Sequence, residues 1–337
     1  MRLRLDVIEK NTGAFSFGAG YGNVESLFLT ASVAERNLFG RSQTLSLKGQ
    51  LGNKTTKFTL SFTEPWLFDI PLSAGADLYN WNYRFSDYNK DSIGGNLRLG
   101  YPIIDYTRGY LSYNYDVANI NNVSSNAANS IKNNKGRNVK SSIGTRIRYD
   151  SRDQLFHPTK GSTHDANFEF AGLGGNIGFT KYTAETSWYY RLVWPLIGVL
   201  HAKGGYVKKL QGKTLPDYDK FYMVGIDALR GFERGDLSPQ DKDGAEVGGN
   251  KFLQFNAELR FPLLEEAGLY GVGFFDTGNI KKEGENIELD DLRESAGLGI
   301  RWQSPMGPIR LEYGWILDRK STDHGPGAWE FSMATSY

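Results

Sequence analysis

Apolar and polar side chains alternate with a period of two residues along almost the whole chain, and this pattern limits the possible folds more than any other feature. About sixteen segments fit a strand template, at hairpin intervals of roughly 20 residues. Clear examples are residues 44–52, 139–149, 252–261 and 309–315. Because successive side chains of a strand point to opposite faces, each segment predicts a strand with one apolar and one polar face.

This chain could span a membrane only as a closed barrel. It has no run of 18 apolar residues, which a transmembrane helix would need. The hydrophobic content of 39% and the mean hydropathy of -0.46 are typical of a soluble protein, but strict alternation hides an apolar face from such averages. The 40 Gly, 20 Phe, 19 Tyr and 7 Trp are typical of barrels with tight turns and aromatic girdles. Periodicity alone leaves a soluble β-sandwich and a transmembrane barrel about equally open.

The connections between segments favour the barrel, because every second one is short and most of these contain Pro. The Pro-containing connections lie at residues 64–66, 101–102, 157–158, 194–195, 261–262 and 304–308, and the longer polar ones at 81–91, 118–137, 210–250 and 277–292. Short turns at one rim and long loops at the other are typical of an outer-membrane barrel with periplasmic turns. Phe62, Trp66, Trp194 and Phe261 lie beside the Pro turns, where an interfacial aromatic belt is expected. We therefore predict a closed antiparallel transmembrane β-barrel of about 16 strands.

Two connections are too long for simple hairpins. Residues 118–137 are rich in Asn and Ser and predict a mobile surface loop. Residues 210–250 contain apolar side chains that open solvent would not favour, such as Phe221, Met223 and Phe232. We expect this loop to fold back into the lumen.

The strongest local motif is the stretch 225–235, in which Arg230 is surrounded by three Gly. It is either a polar turn made easy by glycine or a loop tip that carries Arg230 into the lumen. A guanidinium is planar and permanently charged, so it can bind wall carboxylates in a bidentate manner. Glu258 lies on the polar face of the next strand and Asp276 ends the one after, so both are predicted acceptors for Arg230.

Other kinds of site have little support. The four His lack the spacing of a helical metal motif, and without Cys there are no disulfides or thiolate ligands, so we expect neither a metal nor another cofactor. The formal charge of +1 gives no sign of nucleic-acid binding. No Gly-x-Ser-x-Gly elbow is present, and an outer-membrane hydrolase is the least favoured class. Residues 1–5 lack the apolar stretch of a signal peptide, so we expect the chain to derive from a longer precursor.

Several motifs, in order, give the chain a family resemblance from end to end. Leu229-Arg230-Gly231-Phe232 resembles the Val-Arg-Gly-Phe motif of the BamA superfamily, with Leu229 in place of Val. Residues 9–13 resemble the family's junction between the last periplasmic POTRA domain and the first strand. Residues 153–161 resemble its Pro-Thr-x-Gly turn, and residues 275–278 and 304–308 resemble two late barrel motifs.

The resemblance implies a domain organisation and a function. Residues 1–10 would be a remnant of the last POTRA domain and residues 11–337 the barrel, with 210–250 inserted in the lumen and Arg230 paired with Glu258 and Asp276. The protein would be an insertase of the barrel assembly machinery and not an enzyme. It would lie in the Gram-negative outer membrane with periplasmic termini. Its partners would be unfolded outer-membrane proteins, membrane lipid and lipopolysaccharide, and accessory lipoproteins bound through POTRA domains.

The seam between the first and last strands is the predicted site of action, as a lateral gate whose edge templates incoming strands. Its residues would be Gly13, Phe15, Phe17, Gly18, Gly20, Trp329, Phe331, Met333 and Tyr337. Glycine weakens strand interiors, which predicts a loosely paired seam, but it could equally accommodate barrel curvature. A disulfide between Cys at positions 17 and 332 is the expected test.

Other functions remain open at this point. Within the superfamily the alternatives are a TamA-like translocation-assembly barrel and an FhaC-like two-partner secretion pore, which share the Arg-Gly-Phe loop. A passive porin is the alternative from another class. Conductance with and without residues 210–250 would test for a porin.

Overall fold

The alternating segments form the wall of a closed antiparallel barrel. The computed structural model describes residues 11–22, 26–305 and 307–333. Within them, sixteen strands pair in the order β1-β16-β15 and so on down to β2, which closes on β1. The strands are β1 Gly13–Gly22, β2 Ser26–Leu38, β3 Gln43–Gly52, β4 Thr55–Glu64, β5 Ser73–Arg84, β6 Asn89–Ile104, β7 Thr107–Asn121, β8 Gly136–Asp150, β9 Gly161–Gly175, β10 Phe179–Arg191, β11 Ile197–Lys209, β12 Lys251–Leu264, β13 Leu269–Lys281, β14 Arg293–Ser304, β15 Gly307–Ile316 and β16 Gly327–Met333. The predicted fold is confirmed.

The period of two separates the lumen from the outer face. On β12, Gln254 is buried on the lumen side, whereas Phe255 and Leu259 are exposed on the outside. The outer face of the wall is apolar, as a lipid-facing surface must be. The polar faces of the strands therefore line the interior, where they can bind a polar loop.

Helices play little part in the architecture. α1 (Asn129–Lys132) has four residues, and four 3-10 turns lie at Leu67–Asp69, Asp217–Asp219, Glu265–Ala267 and Leu289–Asp291. In the described part of the chain, no helix is long and apolar enough to cross a bilayer.

Alternate connections lie at the same rim. We call the rim with the β2–β3, β4–β5, β6–β7, β8–β9, β10–β11, β12–β13 and β14–β15 connections the turn rim, and the opposite one the loop rim. The connection expected at residues 81–91 is shorter than predicted, because β5 runs to Arg84 and β6 starts at Asn89.

Two predicted Pro turns are instead parts of strands. Pro102 lies near the end of β6 and Pro262 near the end of β12, each beside a shift in the pairing register. Proline cannot donate to a ladder but is tolerated at such irregularities.

The loop at residues 122–135, between β7 and β8, forms a packed cap and not the mobile surface loop that its composition predicted. Ala127, Ala128 and Ile131 are buried and form a cluster with Tyr88 and Val247. The backbone N–H of Asn129 donates to Asp241 (3.2 Å) and its side chain to Asp243 (2.6 Å). Burial of a few small apolar side chains thus orders a segment that is otherwise polar.

Some predictions lie outside the described residues. These are the POTRA remnant at residues 1–10 and Tyr337 of the predicted seam. The division of the chain at residue 10 stays a prediction.

Candidate functional site

Residues 210–250, which connect β11 to β12, lie inside the barrel, and we call them the lumen loop. Phe221, Met223, Leu229 and Phe232 of this loop are buried in one apolar cluster with wall residues such as Phe179. These side chains are the apolar content that predicted an inserted loop. Their burial holds the polar tip of the loop against the wall.

Arg230 at the loop tip is buried and bound on three sides by carboxylates. Its Nε and Nη2 donate to the two oxygens of Asp276 at 2.7 and 2.6 Å, and its backbone N–H donates to the same carboxylate at 3.0 Å. Its Nη1 donates to Glu258 at 2.8 Å and to Glu312 at 2.6 Å. The guanidinium also lies 3.6 Å from the ring centroid of Phe274. The structure therefore brings together Arg230, Glu258 and Asp276, the three residues that sequence reasoning grouped.

The wall adds further charges that sequence reasoning missed. Glu258 accepts hydrogen bonds from Arg301 (2.6 Å) and Arg260 (2.7 Å), and Glu312 accepts one from Arg301 (2.7 Å). The charge cluster comprises Arg230, Arg260, Arg301, Arg310, Asp227, Glu258, Asp276 and Glu312. Four positive groups match four negative ones, so the cluster has no net charge, and within it Asp227 is exposed while Arg230, Glu258, Asp276 and Glu312 are buried.

A sequence signal for this cluster did exist. The alternation at residues 309–315 puts Arg310 and Glu312 on the polar face of their segment. The alternation did not give the order of the strands in the barrel. That order places β15 within reach of a loop that also touches β12 and β13.

Glycines let the backbone of the loop tip rest directly on the wall. Gly231 has a φ of +92°, and a Cβ on it would lie 2.6 Å from the carbonyl oxygen of Gly314 in β15. A Cβ on Gly314 would in turn lie 2.7 Å from the backbone of Arg230. Any side chain at either position would push the tip away from the wall. The Arg-Gly-Phe order thus combines a charged anchor, a contact without a side chain and an apolar plug.

A second anchor, at the 3-10 turn Asp217–Asp219, holds the loop to the opposite wall. Asp219 accepts a hydrogen bond from Lys140 of β8 (3.1 Å), and its backbone carbonyl accepts one from Lys181 of β10 (2.8 Å). Lys90 of β6 lies 4.1 Å from the ring centroid of Tyr218. Here the acids are on the loop and the cations on the wall, the reverse of the arrangement at Arg230. The lumen loop therefore spans the interior between two ionic anchors.

The loop-rim connection 317–326, which leads into β16, is tied to the lumen loop. Arg293 of β14 donates to Asp318 (2.6 Å) and to Asp323 (2.8 Å), and its guanidinium lies 4.7 Å from the ring of Phe232. Nδ1 of His324 lies 2.6 Å from Asp236 of the lumen loop. This hydrogen bond and the negative charge of Asp236 raise the pKa of His324 above its usual value.

The seam between β1 and β16 closes the barrel, and the described residues give its register. Tyr21 pairs with Met333, and Gly22 pairs with Ser332. The last residue of β1 thus lies opposite a residue near the end of β16.

The predicted seam residues lie on both faces of these two strands. Phe15, Phe17 and Trp329 are exposed on the outer face, and Gly18 and Gly20 are buried on the lumen side. The other predicted seam residues that the structure describes are Gly13 at the start of β1, and Phe331 and Met333 in β16. A Cβ on Gly20 would lie 2.3 Å from the ring of Phe28, so this glycine makes room for a neighbour on β2.

The cross-link expected between positions 17 and 332 uses the wrong partner. Ser332 faces Gly22, and residue 17 lies five positions away, about 17 Å along the strand. A disulfide requires Cα atoms about 4.4–6.8 Å apart, so 22 and 332 are the suitable positions.

A cavity of about 590 Å³ lies between the lumen loop and β16. Its lining includes Phe232 and Arg234 of the loop, Gly327 and Ala328 of β16, and Lys54 between β3 and β4. The ionic anchors of the loop lie on β8, β10 and β12–β15. The cavity lies on the β16 side of the loop and leaves space behind the seam.

The sequence of the chain matches one family over most of its length. A model described as the Omp85 superfamily domain matches residues 37–337. The chain belongs to the Omp85 superfamily. It is 35% identical to the outer membrane protein assembly factor BamA of Nitratidesulfovibrio vulgaris, over 98% of this chain and 42% of that protein. The factor of the same name from Neisseria meningitidis is 26% identical, over 99% of this chain and 48% of that protein. The resemblance to the BamA superfamily is thereby confirmed, and the chain spans less than half the length of these two relatives.

More distant relatives and a solved structure agree with this assignment. The human sorting and assembly machinery component 50 homolog is 25% identical over 90% of this chain and 66% of that protein. The crystal structure of BamA from Haemophilus ducreyi lacking POTRA domains 1-3 superposes with a TM-score of 0.86 and 23% identity, covering 96% of this chain and 70% of that one. At this identity the superposition supports the barrel fold alone.

Proposed function

We propose that this chain is the membrane-embedded part of an outer-membrane protein insertase, which folds other β-barrels into the Gram-negative outer membrane. Two Omp85 relatives with this barrel carry the name outer membrane protein assembly factor. No covalent chemistry is involved. The protein supplies a surface on which another chain folds.

The physical problem for a client barrel is its unpaired strand edges. Each unsatisfied backbone group in hydrocarbon costs several kcal/mol, so an incomplete sheet cannot enter lipid alone. A strand edge in an existing barrel can pair with the incoming strand by β-augmentation. The client edge is then satisfied while the rest of its sheet forms.

The joint between the first and last strands is the observation that carries this proposal. β1 and β16 are neighbours in the barrel but lie at opposite ends of the chain, whereas each of the fifteen other joints pairs consecutive strands. The β1–β16 seam can therefore open without straining a hairpin connection. The cavity behind β16 leaves room for inward movement of that strand. We propose that Gly13, Phe15, Phe17, Gly18 and Gly20 form one edge, and Trp329, Phe331, Met333 and Tyr337 the other.

In this proposal the lumen loop is a brace. Leu229, Arg230, Gly231 and Phe232 fasten β12, β13 and β15 through Glu258, Asp276 and Glu312, which keeps the wall beside the seam rigid while the seam opens. The turn rim and both termini face the periplasm. Clients are unfolded outer-membrane proteins, and accessory lipoproteins would bind upstream POTRA domains. Membrane lipid and lipopolysaccharide surround the wall.

Reconstitution tests the function directly. The chain is inserted into phospholipid vesicles, and the folding rate of a urea-unfolded outer-membrane protein is followed by its shift in gel mobility. We expect folding to be several-fold faster than in protein-free vesicles or in vesicles with an unrelated porin. A steady ohmic conductance without any acceleration would contradict the proposal and favour a passive pore.

A further inference from the structure

The connection between β8 and β9, residues 151–160, reaches across the barrel, and we call it the crossing turn. Its His157 stacks on the ring of Tyr270 in β13, with 3.9 Å between the ring centroids and 28° between the ring planes. Tyr270 alternates in step with the buried Val272 and Phe274, so its side chain faces the lumen. Four strand intervals separate β9 from β13, about 19 Å along the wall. The crossing turn therefore spans part of the mouth of the barrel at the turn rim.

Polar contacts of its own hold the crossing turn in this shape. The Asp153 carboxylate accepts hydrogen bonds from the backbone N–H of Thr159 (2.9 Å) and from that of Lys160 (3.2 Å). Arg191 of β10 donates to the Thr159 hydroxyl (3.0 Å). Burial opposes the charged form of Asp153, but the hydrogen bonds from Thr159 and Lys160 lower its pKa to about 2. These contacts are thus retained in moderately acid solution.

The stack lies on the turn-rim side of the charge cluster that binds Arg230. Tyr270 is paired with Arg301 of β14 and with Pro262 of β12. Arg260 precedes Pro262 by two residues and lies on the same face of β12. The crossing turn therefore covers the cluster from the turn rim, while the lumen loop covers it from the other side.

The surroundings of His157 favour a neutral ring. Burial, together with the positive charges of Arg260 and Arg301, lowers the pKa of His157 below its usual value, and the charge of Asp153 opposes this shift without cancelling it. Nε2 of His157 is buried and has no hydrogen-bond partner among the described residues. A second proton would add a buried donor without an acceptor and would repel both guanidiniums. The stack on Tyr270 therefore requires an uncharged His157.

We propose that the crossing turn is a latch over part of the turn-rim mouth of the barrel, and that protonation of His157 releases it. The stabilisation from the stack is fully present above a pH of about 6.5, the ordinary pKa of His, and is lost as the pH falls through the lowered pKa of His157. Release lets water from the turn rim reach Arg260 and Arg301. The inference goes beyond the proposed function, because it concerns the barrel alone and needs no client protein.

Spin labels on the crossing turn test the latch directly. The chain has no Cys, so one Cys at position 156, exposed in the crossing turn, and one at position 53, exposed in the β3–β4 connection at the loop rim, can carry the labels. In phospholipid nanodiscs, we expect a narrow distribution of label–label distances above pH 6.5. The distribution should broaden as the pH is lowered to 4, in step with protonation of the His157 ring followed by nuclear magnetic resonance. A distribution that stays narrow down to pH 4 would overturn the proposal.

Two substitutions separate the charge of the His157 ring from its shape. His157→Phe can still stack on Tyr270 but cannot be protonated, so the distribution should stay narrow at every pH. His157→Ala removes the stack, so the distribution should be broad at every pH. The control His324→Phe removes a titrating ring at the loop rim and should keep the pH dependence of the wild type. Broadening of His157→Phe on acidification, or a narrow distribution for His157→Ala, would show that this ring does not hold the turn.

Discussion

At the scale of single residues, Arg230 shows why a planar cation is required at the loop tip. Its three side-chain nitrogens reach Asp276, Glu258 and Glu312, which belong to three different strands. A Lys ammonium is a point charge and cannot make two parallel hydrogen bonds to Asp276 while reaching the other two acids. Without Arg230, the three carboxylates would lose their shared counter-charge in a buried site.

We therefore predict that Arg230→Ala destabilises the folded barrel by roughly 3–5 kcal/mol, the cost of breaking a buried ion pair. The stability of Arg230→Lys should lie between that of Arg230→Ala and that of the wild type. The measurement is reversible urea unfolding in vesicles, together with protease cleavage of the lumen loop. Arg234→Ala is the matched control, since Arg234 lies in the same loop but is 46% exposed and 4.0 Å from Glu246. Equal effects of the two Ala variants would contradict this account of the anchor.

Gly314 provides a steric counterpart to that ionic contact. We predict that Gly314→Ala dislodges the loop tip, because its Cβ would lie 2.7 Å from the backbone of Arg230. The lumen loop should become cleavable by protease while the far-ultraviolet circular dichroism of the barrel is retained. In the control Gly273→Ala, the new Cβ would lie 3.5 Å from Leu298, an ordinary contact. Protection of the loop in Gly314→Ala would show that the close approach is not needed.

The sequence predicted only some of the contacts of Arg230. The pairing of Arg230 with Glu258 and Asp276 could be proposed, because a buried Arg needs acids and these two lie on the polar faces of the following strands. Glu312 and Gly314 could not be assigned, since they are more than 80 residues away in the chain and only the closure of the sheet brings them to the tip. As functional residues, all of them stay predictions.

At the scale of elements, the loops showed most clearly where sequence patterns fail. The inserted position of residues 210–250 followed from their apolar side chains. The cap at 122–135 did not, because Asn and Ser dominate its composition while a few small apolar residues decide its packing. The end of β6 was also misplaced, since Pro102 was expected in a turn but is accommodated at a register shift.

The contact between the loop-rim connection 317–326 and the lumen loop should depend on pH. The pKa of His324 is raised by its hydrogen bond to Asp236, so the protonated ring makes the stronger contact. The stabilisation that this contact provides should be fully present below a pH of about 6.5, the ordinary pKa of His. It should be lost as the pH rises through the raised pKa of His324. Nuclear magnetic resonance titration of the His324 ring should give a pKa above 6.5, and Asp236→Asn should lower that pKa. A wild-type value at or below 6.5 would rule out the contact.

At the scale of the whole molecule, the sequence predicted a closed barrel but not the register in which its first and last strands pair. Alternation and connection lengths indicate strands and rims, because both are local properties. The pairing of β1 with β16 joins the two ends of the chain, and its register depends on how all sixteen strands are staggered. For that reason the partner of Ser332 was predicted as residue 17, when it is Gly22.

The proposed mechanism depends on the β1–β16 seam opening while the rest of the wall stays closed. The ionic anchors of the lumen loop fall on β8, β10 and β12–β15, and the wall next to the seam on the β1 side is built from short strands, with ten residues each in β1, β3 and β4. The brace and the seam are thus separate parts of one barrel. A covalent lock on the seam should abolish insertase activity without disturbing the anchors.

The most direct test uses the double variant Gly22→Cys and Ser332→Cys in vesicles, with the folding rate of an unfolded outer-membrane protein measured before and after oxidation. These residues are opposite each other, and a Cβ on Gly22 has room, with its nearest neighbour at 3.9 Å. Ser46→Cys with Ser61→Cys, which cross-links β3 to β4, is the matched control. We predict that oxidation reduces the rate to that of protein-free vesicles in the seam variant alone and that reductant restores it. Full activity of the oxidised seam variant would contradict the account.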